Sequence, residues 1–317
     1  MNRLIDVLKK LNSRHSVSGS KIAKELGITR AAVWRRIKHL QQLGLCIISN
    51  PGKGYRLGYD FEKLDSNVIQ QSLGKKVRID VVWETSSTNT EVFSNIDKVE
   101  LPRVLIAEYQ HEGRGRRNDR WLSPLGSGLC MSLGWKFQSL PPTIPSLGLV
   151  VGLAIVDTLE KLGCTSIKIK WPNDVFFDGK KIAGCLIDLK TELSGSSYAV
   201  IGIGINISLD SGIKASIDQP VADLCDVLDS KISRNKLAGK LVGSLIRALE
   251  TFEKTGFKCF RDKFLAKDLL YGEKITINIK DEKPSGYAAG VDWDGALLLD
   301  VDGRIRRFYT GHVTIVQ

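Results

Sequence analysis

Residues 18–44 read SGSKIAKELGITRAAVWRRIKHLQQLG, and that stretch leaves few folds open to its end of the chain. Ser18 or Ser20 supplies a helix cap, and the run it opens ends near Leu26, where Gly27 permits a tight turn. Thr29 caps a second run that Gly44 stops. Val33, Ile37 and Leu40 share one face of it, so Ala31, Trp34, Arg35 and Lys38 point the other way. A helical pattern over residues 2–11 precedes the pair, and CIISNPGKGYRL after it reads as two short strands around a Gly-Lys-Gly tip. Three helices, a Gly turn and a two-stranded wing are expected to fold as a winged helix-turn-helix over residues 1–60.

Charge singles out the same segment. Residues 1–60 hold twelve Lys and Arg against three acids, which is +9 of the formal +11 of the 317-residue chain. The helix that Thr29 opens has no acid at all. A surface that is merely solvated mixes both signs, so this module is expected to meet a polyanion. Duplex DNA is the favoured one, contacted by Arg30, Trp34, Arg35, Lys38 and Lys53.

Elsewhere the composition, 43% hydrophobic and 26% charged, is that of an ordinary globular protein. Cysteines 46, 130, 164, 185, 225 and 259 form no C-x-x-C pair and have no His at ligand spacing. Reduced thiols, no metal site and a cytoplasmic location are expected. The N-terminus has no apolar signal core, and the longest apolar run, 147–156, is too short to span a bilayer, so no membrane contact is expected.

Residues 66–270 mix strands and helices. VRIDVVWE, RVLIAEYQ, SGLCMSLGWKF, SIKIKW and AVIGIGINI read as strands, and VFFDGKKIAGCLIDL as a hairpin around Asp178-Gly179. Ser87, Thr88 and Asn89 suit the cap of a helix, and Ser146 and Gly163 bound a long buried one. Gly202 and Gly204 strip side chains from one face of a strand, as expected where a ligand or another backbone lies close. Residues 271–317, with short strands and Asp-Gly turns, read as a small SH3-like β-barrel. The expected class is α+β multidomain.

The second strand delivers the chain into GRGRRNDRW, residues 113–121, with four arginines in nine positions. This is not G-x-G-x-x-G before a helix, and neither a P-loop nor a kinase motif set occurs. Glycine lets the backbone approach a ligand, and arginine grips carboxylate or phosphate through two parallel hydrogen bonds. From the loop alone, an anion site and a solvated loop are equally good readings.

Together, STN, AEYQHEGRGRRNDRW, KWPND, GKKIAGCLID and GIGIN resemble the biotin protein ligase family in order and spacing. With TRAAVWRRI and PGKGYRL in front, the chain resembles the bifunctional members that are also biotin operon repressors, and the likeness covers essentially its whole length. Lipoate ligases share the catalytic fold, but the R-G-R and K-W-P-N-D motifs favour biotin. The resemblance implies a class II-synthetase-like mixed-sheet catalytic domain and a two-step reaction. The biotin carboxylate attacks the α-phosphate of ATP, giving biotinyl-5′-AMP and pyrophosphate. A lysine of the biotin carboxyl carrier protein of acetyl-CoA carboxylase then takes the biotinyl group and releases AMP. Two anions meet in the first step, so fixed cations are needed.

By motif match, the resemblance assigns biotin contacts to Ser87, Thr88, Asn89, Gln110, Arg114, Gly115, Arg116 and Lys181. It gives catalytic roles to Lys181, Arg114, Arg116 and Asp174, and adenylate contacts to Trp121, Lys170, Asn173 and Asn206. Trp135 or apolar strand residues would pack the biotin rings. Mg²⁺ is expected on the ATP phosphates, since no carboxylate cage is visible. Operator DNA and a homodimer of the adenylate-bound chain are the implied partners. Asp174 either orients and deprotonates the incoming lysine or is a turn residue after Pro172, and Asn206 either bonds the adenylate or finishes its strand.

Three positions depart from the family pattern. Asn118-Asp119 replaces Gly-Arg in the loop, where Asn tolerates the left-handed conformation. Val221 stands where a tryptophan can cover the adenine, and His312 stands where an acid is usual. Two other functions fit the chain less well: a regulator that senses biotin without transferring it, and a ligase whose N-terminal module is only an appendage.

Overall fold

Caps and turns lay out the N-terminal module of this computed structural model, which describes residues 2–74, 76–138, 140–192, 196–228, 232–279 and 282–316. Helices α1 (Asn2–Leu8), α2 (Gly19–Leu26) and α3 (Arg30–Gln42) precede the strands β1 (Ile47–Asn50) and β2 (Gly54–Leu57). Ser18, not Ser20, caps α2 by accepting from Lys21 N–H, and Thr29 caps α3 by accepting from Ala32 N–H. Gly27 closes α2 at φ 62°. Helix α1 stops at Leu8, short of Leu11, because its last N–H groups bond three residues back, from Lys10 to Val7 and from Leu11 to Leu8. Val33, Ile37 and Leu40 are buried with Leu4, Val7 and Ile22 in a core of the module's own. From the catalytic region Leu125 is buried in that core, its N–H donating to Leu43 O at 2.8 Å, and Trp83 and Tyr109 pack against it.

The central sheet is mixed. It contains β3 (Arg78–Thr85), β4 (Arg103–Gln110), β5 (Gly128–Phe137), β6 (Ile167–Lys170), β7 (Asp174–Phe177), β8 (Lys180–Thr191) and β9 (Ser197–Asn206). Their order is β3-β4-β5-β9-β8-β7-β6, and only β3 and β4 pair in parallel. Between β7 and β8, Asp178 and Gly179 have φ 46° and 70°, the paired positive values of a two-residue type I′ hairpin.

Before the sheet stands α4 (Ser66–Leu73), and after β3 comes α5 (Thr88–Ser94). Helix α6 (Leu147–Glu160), α7 (Ser211–Ala215), α8 (Arg234–Thr255) and α9 (Arg261–Leu265) complete the helices. Helix α8, which is not among the sequence expectations, carries the usual signals, a Ser233 cap and a stop at Gly256. Ser146 does not cap α6, because its hydroxyl donates to Thr143 O instead. One face of the sheet packs on α6 and α8, and the other carries α5. Alternation along β5 sends Met131, Leu133 and Trp135 to the helix-covered side. Trp135 is therefore core, and the expectation that it packs a ligand ring is corrected.

The C-terminal segment folds as an antiparallel sheet of β10 (Lys274–Asn278), β11 (Ser285–Val291), β12 (Leu297–Val301), β13 (Arg304–Phe308) and β14 (His312–Ile315). The order is β13-β12-β11-β10-β14. It has no core of its own among the described residues: Ile275, Ile277, Leu297 and Val313 share one cluster with Ile169 and Trp171, and Trp171 Nε1 donates to Gly295 O at 3.2 Å.

Asp268 sits at this junction, 7% exposed, with Oδ1 accepting from Leu270 N–H and Oδ2 unpartnered. Burial pushes its carboxyl up to about 6. A folded pKa above the unfolded value means that ionisation opposes folding, with a penalty that grows from about pH 4 to about pH 6 and stays constant above. At 1.36 kcal/mol per unit it reaches about 2–3 kcal/mol. Asp268→Asn is therefore expected to raise the urea midpoint at about pH 8 and much less at about pH 4. An equal gain at both values would refute this origin.

Candidate active site

Glycines make the floor of the site. On the α5 side of the sheet, Cys130, Gly204 and Gly184 lie side by side across β5, β9 and β8, and Ser132, Gly202 and Leu186 form the next row. A Cβ on Gly204 would overlap the Trp121 ring, and one on Gly202 would overlap the Asn89 amide. What lies close against these glycines is the chain itself. Gly184 makes similar room for Asp174 and Lys181.

A polar cradle rises from α5. Ser87 caps it, and Thr88 N–H and Oγ1 both donate to Gln110 Oε1, at 2.8 and 3.1 Å. The Ser132 hydroxyl lies 2.7 Å from Thr88 Oγ1 and 2.6 Å from Asn89 Oδ1. Asn89 Nδ2 donates to Leu186 O at 3.3 Å and to Asp188 Oδ2 at 3.1 Å. At 4% exposure Asn89 has its amide committed inside the protein. It braces the cradle, and Ser87, Thr88 and Gln110 face the cavity beside it.

The arginine loop folds back on itself. Gly115 N–H donates to Asp119 O, and Trp121 N–H to Gly113 O. Its left-handed residue is Arg117, at φ 54° and ψ 34°, rather than Asn118, whose side chain lies outside the described residues. Three of its arginines each reach a different wall, and Arg120 donates back to His111 O. Arg114 Nη2 lies 3.4 Å from Asp188 Oδ2 on β8. Arg116 Nη1 donates to Asn173 Oδ1 at 3.3 Å, and Asn173 Nδ2 in turn donates to Cys185 O at 2.7 Å. Arg117 Nη2 donates to Asn278 O in the C-terminal sheet at 3.0 Å.

Lys181 and Asp174 form an ion pair, Nζ to Oδ1 at 2.9 Å, mostly out of solvent. Asp174 thus points into the site and contacts a cation, which a residue serving only the turn has no reason to do. Burial pushes Lys170 down, with Asp174 opposing and Lys181 assisting. Burial also lowers Arg116, and Arg117 lowers it further. The cavity, about 160 Å³, is lined by Arg114, Arg116, Arg117, Arg120, Lys170 and Lys181 on one hand and by Asp174 and Asp119 on the other. Its charge is positive.

Of the residues expected to serve biotin, catalysis or the adenylate, all line this cavity except Asn206 and the core residue Trp135. Asn206 Nδ2 donates to Ala222 O at 3.1 Å and Lys181 O at 3.5 Å, tying the strand end to the segment after α7. That segment is stitched to Lys181 by backbone bonds from Lys181 N–H to Pro220 O and from Ala222 N–H to Lys181 O. Gln219 from it lines the cavity, whereas Val221 lies outside. His312 lines it from the C-terminal sheet, its pKa lowered by burial, then by Lys170 and Arg117. Sequence reasoning missed Gln219, Asp188 and the place of His312, which no local motif marks.

On the other module, Arg30, Trp34, Arg35, Lys38 and Lys53 are exposed. None of these cations has an acidic partner among the described residues. Among those residues no group of three or more His, Cys, Asp or Glu could hold a metal ion, and no helix is long and apolar enough to cross a membrane.

Residues 81–206 match the Biotin/lipoate A/B protein ligase family, and residues 3–56 match an HTH domain. The bifunctional ligase/repressor BirA of Salmonella typhimurium is 33% identical over 298 residues, 94% of this chain and 92% of the relative. The biotin--[acetyl-CoA-carboxylase] ligase of Mycobacterium tuberculosis is 29% identical, over 72% of this chain and 85% of its own. The solved biotin protein ligase from Aquifex aeolicus in complex with biotin and ATP aligns with a TM-score of 0.65 at 25% identity, over 75% of this chain and 99% of that one. With its helix-turn-helix module, glycine-floored cavity and arginine loop, the chain belongs to the bifunctional ligase/repressor BirA family.

Proposed function

We propose that the chain is an ATP-dependent biotin ligase that is also a biotin-controlled DNA-binding repressor. The observation that carries the ligase half is the convergence of Arg114, Arg116, Lys170 and Lys181 on one cavity beside the Ser87–Thr88–Gln110 cradle. A carboxylate and a triphosphate repel each other, and fixed cations in a partly dehydrated site offset that repulsion most where charge builds at phosphorus. A biotin carboxylate oxygen forms a bond to the α-phosphorus while the bond to pyrophosphate breaks. The ε-amine of a carrier-domain lysine then attacks the acyl carbon and AMP leaves. Ser87, Thr88 and Gln110 hold the ureido head, and Lys181, aligned by Asp174, faces the α-phosphate. Of the two carboxylates that line the cavity, Asp174 also takes the proton of the incoming amine. Mg²⁺ fits this cation-rich lining only as a companion of the ATP phosphates, where it would offset their charge.

For the repressor half, the support is the acid-free, exposed α3 on a module packed against the catalytic region. A homodimer of the adenylate-bound chain would set two such helices on a two-fold operator. The ligase reading is tested with purified chain, biotin, ATP, Mg²⁺ and the carrier domain of acetyl-CoA carboxylase, read by the intact mass of the acceptor. One biotinyl addition is expected. No mass gain together with no pyrophosphate would sink the ligase and leave a sensor.

A further inference from the structure

Trp34 is the one large apolar side chain left exposed in the described part of the N-terminal module, at 52%. The module does not need it: Val33, Ile37 and Leu40 complete the core on the opposite face at 0–1% exposure. An indole held in water forgoes the stabilisation that burial would bring, so its place asks for a partner. Around it on α3 stand Ala31, Arg30, Arg35 and Lys38, all exposed and with no acid on the helix. Such a patch repels a copy of itself and attracts a polyanion.

On a DNA duplex most of what a helix can reach is polar or charged. The apolar group that base edges present in the major groove is the C5-methyl of thymine. Trp34 is the fifth residue of α3, in the N-terminal half of the second helix of the motif, where side chains meet base edges. Resting on the DNA-binding reading above, we propose that Trp34, with Ala31 beside it, reads a thymine methyl group in each operator half-site. Arg30, Arg35 and Lys38 supply affinity around that contact, and the indole supplies discrimination.

The test uses the full chain with biotin, ATP and Mg²⁺. The tightest duplex is selected from a randomised pool at near-physiological salt, and each thymidine is then replaced in turn by deoxyuridine, which removes only the methyl group. Affinity is expected to fall about four-fold per contacted methyl, the equivalent of ~0.8 kcal/mol, at a position repeated in both half-sites. In Trp34→Ala that uracil penalty is expected to vanish while the salt dependence set by phosphate contacts is retained. Uracil without effect at every position overturns the inference, as does a Trp34→Ala variant that keeps the full penalty. A loss in Trp34→Ala that is alone and equal for both bases also overturns it, and places the ring on the sugar-phosphate backbone or between base pairs. If the native chain selects no duplex, the DNA-binding reading itself fails and takes the inference with it.

Discussion

Lys181→Ala is expected to slow biotinyl-adenylate formation by about two to three orders of magnitude, the usual loss when one donor aimed at developing charge is removed. The size follows from the setting. The Lys181 side chain is 15% exposed, so water substitutes poorly for it, and its ammonium lies 2.9 Å from Asp174. Without it Asp174 is left as an unpaired carboxylate in a cavity that must take a triphosphate. The backbone bonds of Lys181 to Pro220 and Ala222 survive the substitution, so the segment after α7 keeps its place. A loss of activity therefore reports the ammonium and not a collapsed wall. Pyrophosphate release measures the first step, and transfer from supplied biotinyl-5′-AMP measures the second, which is expected to fall far less. Adenylation near the native rate, or equal losses in the two steps, would refute the place assigned to Lys181.

The largest effect on stability is expected at Glu108. Its side chain and that of Arg234 are 1% and 5% exposed, with carboxylate and guanidinium 2.8 Å apart. Glu108 Oε1 also accepts from Leu64 N–H, while Arg234 donates to Glu62 O and Gly128 O. Beside them Asn235 bonds Lys63 O and Asp65 N–H. The pair thus staples the segment joining the helix-turn-helix module to the catalytic region onto the start of α8. Glu108→Ala buries an uncompensated guanidinium and orphans an amide, at a cost of about 3–5 kcal/mol. That is a large share of the stability of an ordinary domain, so the denaturation midpoint is expected to fall steeply. Replacing both partners by methionine is expected to recover much of the loss, because the desolvation cost of both charges disappears with them. A double variant as unstable as Glu108→Ala would mean that packing, and not charge, holds the junction.

The local elements were legible where the signal was local. Ser18, Gly27 and Thr29 announce the turn of the N-terminal module, and Asp178-Gly179 announces the β7–β8 hairpin of the central sheet, because caps and two-residue turns are decided by residues a few positions apart. The positive charge of the N-terminal module and the cation-rich loop are properties of composition, so the chain alone declares them. Asn89 shows the limit: the motif match placed it at the site, and it lines the cavity, but only the fold shows that its amide is committed to Ser132, Leu186 and Asp188. Which arginine takes the left-handed turn, and that Arg114, Arg116 and Arg117 brace three separate walls, depends on strands far apart in sequence. His312 enters the cavity only because the C-terminal sheet shares the catalytic core through Trp171 and its neighbours. The sequence by itself determined the local elements, the charge of the N-terminal segment and the set of groups available for chemistry, since these follow from residue type and short-range periodicity. Tertiary structure alone decided which of those groups face one another across the cavity, because contacts between distant segments are set by how whole faces pack.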